Sequence, residues 1–148
     1  MKTKNSFSFT IDISAPPPLV WKIMSDVVNW PQWTPTVRKV HRKDSGPLRV
    51  GSAAWVFQPK IPPARWRVTW VEEGHGFIWI AYAPGAKVTG SHLIEGTPTG
   101  SRVILSLTYT GVFASLMSRI TASINDLYLG LEGAGLRKKC EEAHDIRR

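Results

Sequence analysis

The sequence predicts an α+β fold in which one antiparallel sheet curves around a long C-terminal helix. Phe7, Phe9, Ile11 and Ile13 alternate with Ser8, Thr10 and Asp12, the period of a strand with one buried face. Six strand-like runs separated by turn residues fill the middle of the chain. From Phe113 the period becomes helical, with Leu116, Met117, Ile120, Ile124, Leu127, Tyr128 and Leu131 at i, i+3, i+4 spacing. A sheet with a polar outer face must bury its inner face, and the terminal helix is the one element long enough to cover it.

The first strand ends at Ala15-Pro16-Pro17-Pro18, because proline removes ladder donors yet is tolerated in the first turn of a helix. Leu19, Val20, Ile23 and Met24, with Trp21, continue as a short helix. Asp26 to Pro35 carries Trp30-Pro31 and Trp33-Thr34-Pro35, which makes it a broken second helix or a structured loop. The strand-like runs are Val37–Lys43, Ser52–Gln58, Ala64–Glu72, Gly76–Tyr82, Ala86–Glu95 and Ser101–Tyr109. Asp44-Ser45-Gly46-Pro47, Pro59 to Pro63, Glu73-Gly74, Pro84-Gly85 and Gly96 to Gly100 punctuate them. Gly130, Gly133 and Gly135 fall in the terminal helix, where they mark either close approach or an early end near Gly130.

With 148 residues, 43% of them hydrophobic and 20% charged, the chain is expected to form one domain over residues 1–148. The single cysteine, Cys140, and the lack of an apolar leader or spanning run imply a soluble, cytoplasmic protein. A formal charge of +8 makes anionic partners conceivable.

Seven tryptophans are a heavy aromatic load that needs a core, a pocket or an interface. Trp66, Val68 and Trp70 alternate with Arg65, Arg67 and Thr69, and Val103, Leu105, Leu107 and Tyr109 alternate with Arg102, Ser106 and Thr108. The first set of each is expected to face the helix, joined by Trp33, Trp55, Phe57 and Trp79. Across from them, Ile120, Ile124, Leu127 and Tyr128 would form the helical wall of a pocket for a small hydrophobic ligand. The same rings equally suit a filled core.

His41, His75, His92 and His144 lack the spacing of a metal site, and neither metal nor cofactor is expected. There is no Gly-x-Ser-x-Gly, Walker loop or Gly-x-Gly-x-x-Gly. His92, placed by register near Tyr82, Ser91 and Glu95, is a weak candidate acid or base, with Tyr109 and Tyr128 behind it. Arg38, Lys39, His41, Arg42 and Lys43 form a basic strand, with Arg65 and Arg67 on another. No ring interleaves within the first of these runs, so a solvated basic face is expected, with weak attraction to anionic membranes and nucleic acid an unlikely partner.

Ile11-Asp12-Ile13-Ser14-Ala15-Pro16, Val20-Trp21, Asp26 and Trp30-Pro31-Gln32-Trp33-Thr34-Pro35-Thr36-Val37 resemble the start of the polyketide cyclase/dehydrase group in the SRPBCC (START-like, helix-grip) superfamily. The similarity continues in Gly51, Arg67-Val68-Thr69-Trp70-Val71, Ser91-His92-Leu93-Ile94-Glu95 and Gly100-Ser101-Arg102-Val103. The resemblance implies a seven-stranded sheet gripping the C-terminal helix around a deep cavity, and a lipid, sterol, polyketide or other hydrophobic ligand. It supplies no recognisable catalytic set. Three functions follow as expectations: hydrophobic ligand binding, cyclase or dehydratase chemistry on such a ligand, or contact through the basic surface.

Overall fold

A computed structural model describes residues 5–146. The chain runs β1 (Ser6–Ile13), α1 (Pro17–Met24), a 3-10 helix (Val27–Gln32), β2 (Lys39–Arg42), β3 (Ala53–Gln58), β4 (Ile61–Glu72), β5 (Gly76–Ala83), β6 (Ala86–Thr97), β7 (Gly100–Thr110) and α2 (Ala114–Ile146). The strands form one antiparallel sheet in the order β1-β7-β6-β5-β4-β3-β2, so β1 and β2 are its edges.

The inner face follows from the register. Phe7, Phe9 and Ile11 sit opposite Leu107, Leu105 and Val103, which pair in turn with Gly90, His92 and Ile94. Gly90 and His92 face Trp79 and Phe77 on β5. Trp79 pairs with Val68 of β4, which is fully buried.

Three aromatic expectations fail here. One extra residue bulges β4 between Val68 and Trp70: Val68 pairs with Trp79, Trp70 with Ile78 and Val71 with Phe77. A bulge shifts the side-chain alternation by one, so Val71 turns inward while Trp70 emerges on the outer face, 36% exposed. Trp55 pairs with His41 and Arg65, and Phe57 with Lys39, while the inward positions of β3 are Ala54 and Val56. Both rings therefore lie on the outer face.

α2 does not stop at Gly130, and two of its glycines, Gly133 and Gly135, are close approaches. A Cβ on Gly133 would lie 2.5 Å from the Phe9 ring, and one on Gly135 only 2.0 Å from the Trp33 carbonyl oxygen. These contacts dictate which face of the helix turns inward: Ser118, Asn125, Leu129, Gly133, Leu136 and Cys140 are buried. The expected apolar lid is displaced accordingly, with Ile120 72%, Leu127 56% and Leu131 37% exposed. α2 lies over β1 and β7 and scarcely reaches β6. The remaining concave surface is covered by the 3-10 segment, whose Trp30 indole donates to the Met24 carbonyl at 2.9 Å.

The glycines make a paired prediction. Gly135→Ala forces the Trp33 backbone to move, and overpacking costs about 1–3 kcal/mol, of which about 1 is returned by helix propensity. Gly130 meets nothing within 4 Å, so Gly130→Ala should stabilise by up to about 1 kcal/mol. Urea unfolding of the two variants should move the midpoint in opposite directions.

Candidate functional site

Two unlike walls meet inside the sheet. The first is aromatic. The His92 ring stacks on Phe77 at 4.3 Å and lies 5.4 Å from Trp30 and 5.8 Å from Trp79. Trp79 in turn lies 5.5 Å from Trp66, and Trp30 lies 5.7 Å from Trp33. Gly90 makes room for this layer, since a Cβ there would stand 3.1 Å from the Trp79 indole and 3.4 Å from Trp66.

The second wall is a polar row on α2. Asn125 donates to the Tyr109 hydroxyl at 2.9 Å and to Thr121 Oγ1 at 3.0 Å, and Tyr109 and Thr121 hydroxyls are themselves 3.0 Å apart. Two turns further on, the Thr36 hydroxyl donates to Glu132 Oε2 at 3.2 Å, and Thr34 and Thr36 share a bond of 2.9 Å. Thr121, Asn125 and Glu132 follow the helical repeat and so share one side of α2.

Burial tunes the two titratable groups in opposite senses. It holds His92 down at about 4, against a smaller opposing hydrogen bond to the Phe77 backbone, so the ring is neutral at pH 7. It raises Glu132 to about 7, and the Thr36 hydroxyl only partly offsets this by favouring the carboxylate. Among the described residues three buried side-chain N or O atoms have no hydrogen-bond partner, and His92 Nδ1 is the one within the aromatic wall. Cys140 is buried with its thiol pushed up to about 12 by burial and by Glu141, which removes it as a nucleophile.

Between the walls the inward side chains are not fully covered. Trp66, Val88, Leu107 and Met117 on the inward face are only partly buried, as are Ile124 and Tyr128 on the facing stretch of α2. The Tyr128 hydroxyl donates to the Pro59 carbonyl in the β3–β4 turn and ties that turn to the helix. A narrow crevice among Val27, Arg42, Leu48, Ser52, Ala53, Ala54, Val68 and Trp79 has no room for a water molecule.

Of the sequence candidates, Trp33, Trp66, Val68, Trp79, Leu105, Leu107, Tyr109, Ile124 and Tyr128 come together around this interior. Trp55, Phe57, Trp70, Ile120 and Leu127 do not. His92 is inside, but Ser91 and Glu95 point to the other face and Tyr82 is exposed, so the expected cluster around it does not form. Trp30, Thr36, Asn125 and Glu132 were missed. Asn125 and Glu132 stand seven residues apart on one face of the helical repeat, which was the available signal.

A curved seven-stranded sheet gripping a C-terminal helix, with α1 and the 3-10 helix after the first strand, defines a helix-grip protein of the SRPBCC class. The family model described as polyketide cyclase / dehydrase and lipid transport matches residues 4–127, and the chain belongs to that family. Three solved structures illustrate the shared fold. The Zhui aromatase/cyclase from Streptomyces sp. R1128 is 14% identical, with a TM-score of 0.73, 92% of this chain covered and 93% of that one. The di-domain ARO/CYC StfQ from the steffimycin biosynthetic pathway is 11% identical with a TM-score of 0.76; 94% of this chain covers 51% of it, so the chain spans about half its length. Hypothetical protein jhp0584 from Helicobacter pylori is 14% identical, with a TM-score of 0.74 over 91% of this chain and 86% of that one. A search of curated proteins finds no match. Among the described residues no helix is long and apolar enough to cross a membrane, and no group of acidic, histidine or cysteine side chains is arranged to hold a metal.

Glu132 leaves a signature in stability. Below its unfolded value of about 4.5 it is protonated in both states and its burial carries no charge penalty. As pH rises through 7 the unfolded chain ionises it more readily, and that stability is lost. Glu132→Gln should therefore match the parent near pH 4.5 and exceed it by about 1–3 kcal/mol at pH 8, read by urea unfolding at both values. His92 acts oppositely, stabilising above 6.5 and losing that contribution towards 4, and does so equally in both proteins.

Proposed function

We propose that the chain holds a small, flat, largely apolar molecule bearing a hydroxyl or carbonyl group between the aromatic wall and the polar row of α2. The observation that carries this reading is the set of inward-facing apolar side chains, Trp66, Val88, Leu107 and Met117, that remain half-open to solvent in an otherwise close-packed sheet. A filled core would cover them. Aromatic rings on one side and a few placed polar groups on the other suit a ligand that is oriented as well as buried. The family's description, polyketide cyclase / dehydrase and lipid transport, and the aromatase/cyclase activity of the Zhui protein support the same ligand class.

A second reading makes the chain an enzyme, and Glu132 favours it. A carboxylate titrating at about 7 is matched to general acid or base work near neutral pH. On a β-hydroxy ketone it would take the proton α to the carbonyl and return it to the departing β-hydroxyl, which leaves as water as the conjugated double bond forms. Substrate class, cellular location and the chain's extent as one domain also belong to this proposal. We place it in the cytoplasm, as one domain.

Ile124→Trp tests the site. Set on the partly buried stretch of α2, the added ring should leave stability nearly unchanged and weaken binding of naphthol or the fluorescent probe ANS about tenfold. A loss of about 1–3 kcal/mol in stability would show the interior is solid at that point and defeat the binding reading there. For the second reading, Glu132→Gln should keep naphthol binding but lose dehydration of an aromatic β-hydroxy ketone. Equal turnover by the variant and the parent would remove Glu132 from the chemistry.

A further inference from the structure

The register sends an unexpected set of residues to the convex side of the sheet. On the edge strand, Val40 points inward and is buried, so Lys39 and His41 point outward. Lys43 continues that alternation, with its amide bonded to the Ala53 carbonyl at 2.9 Å. Trp55 lies between His41 on one side and Arg65 on the other. One step along, Ala53 pairs with Arg67. Beyond the β4 bulge Trp70 emerges on the same face. Lys39, His41, Lys43, Trp55, Arg65, Arg67 and Trp70 are all exposed.

The charges on this face are not answered from within. No ion pair among the described residues involves Lys39, His41, Lys43, Arg65 or Arg67, whereas Arg102 is paired with Asp12 and Arg42 and Arg49 with Asp44. The carboxylate that β4 contributes, Glu72, sits at the far end of the strand and is engaged by His75 at 3.3 Å. Adjacent strands stand about 4.8 Å apart and same-face residues about 6.8 Å apart along a strand, so the cations form a frame around the Trp55 indole.

We infer that the convex face of β2 to β4 is a docking platform for single-stranded nucleic acid, with Trp55 stacking on an unpaired base and Lys39, Lys43, Arg65 and Arg67 taking the neighbouring phosphates. Stacking needs a ring with a free face, and the phosphates need uncompensated cations at its sides; both are present in register. A duplex hides its base faces and cannot use the ring. A membrane is served less well, because Trp55 and Trp70 lie within strands on the face of the sheet and not at the tip of a projecting loop. This surface lies on the opposite side of the sheet from the ligand interior, and the inference is independent of that reading.

Fluorescence anisotropy with a labelled oligothymidylate tests it, at about 0.05 and 0.15 M salt. The parent protein should bind at the lower salt. Trp55→Ala should weaken binding about tenfold and Trp55→Phe should restore most of it. Replacing Arg65 and Arg67 together by serine should lower the slope of log affinity against log salt by about 1.4, for two phosphates on a single strand. Lys138→Ser with Lys139→Ser, which removes the same charge from α2, should leave binding near parental. Thermal unfolding confirms that each variant is folded. Absence of binding at low salt, indifference to Trp55→Ala, or equal losses from the two double variants would overturn the platform. Preferential binding to phosphatidylserine vesicles over the oligonucleotide would also overturn it, and assign the face to a membrane.

Discussion

The close approach of α2 to the first strand and to the 3-10 segment governs the rest of the molecule. Gly133 admits the Phe9 ring and Gly135 admits the Trp33 carbonyl, so the second half of the helix is seated hard against one side of the sheet. A helix held there cannot also cover β3, β4 and β5. Their concave surface is closed instead by side chains, chiefly Trp30 and Trp33 from the 3-10 segment meeting Phe77, Trp79 and His92. These rings cover the far part of that surface, while Trp66, Leu107 and Met117 are left half-covered. The same seating rotates α2 so that Asn125 and Glu132, rather than Ile120 and Leu127, look inward. The inward turn of Asn125 and Glu132 and the exposure of Ile120 and Leu127 therefore share one steric cause.

The sheet distributes the tryptophans to both of its faces, and this separates two kinds of recognition. Trp30, Trp33, Trp66 and Trp79 join in edge and tilted contacts inside, where a neutral His92 and a Glu132 titrating near 7 supply the polarity. Trp55 and Trp70 emerge on the convex face among lysines and arginines. The β4 bulge is the switch for Trp70: without its extra residue that ring would point inward. A single inserted residue thus moves one tryptophan from the apolar lining to the cationic face.

Much of the architecture was legible because periodicity is a local property. The alternation of Phe7, Phe9, Ile11 and Ile13, and the change of period at Phe113, place the first strand and the final helix. Trp66 and Tyr109 could be assigned to the interior for the same reason. Trp70 could not, because alternation assumes an unbroken strand and nothing in Arg67-Val68-Thr69-Trp70 announces a bulge. The inward face of α2 was misread because Ile120, Leu127 and Leu131 of its apolar stripe were assumed to be packed. Contact at Gly133 and Gly135 outweighs that stripe, and it depends on residues more than a hundred positions away. Glu132 escaped notice because a lone acid in a helix looks solvated until its neighbours Thr34 and Thr36 are in place.

The central claim is that a small apolar molecule enters between the aromatic wall and the polar row of α2. Nuclear magnetic resonance of labelled protein titrated with naphthol addresses it most directly, since each indole N–H and the Asn125 side-chain amide report separately. The account predicts that the largest shifts fall on the indoles of Trp66 and Trp79, on Gly90 and on the Asn125 amide, while the Trp55 and Trp70 indoles stay in place. Shifts confined to Trp55 and Trp70, or spread evenly over the surface, would contradict it.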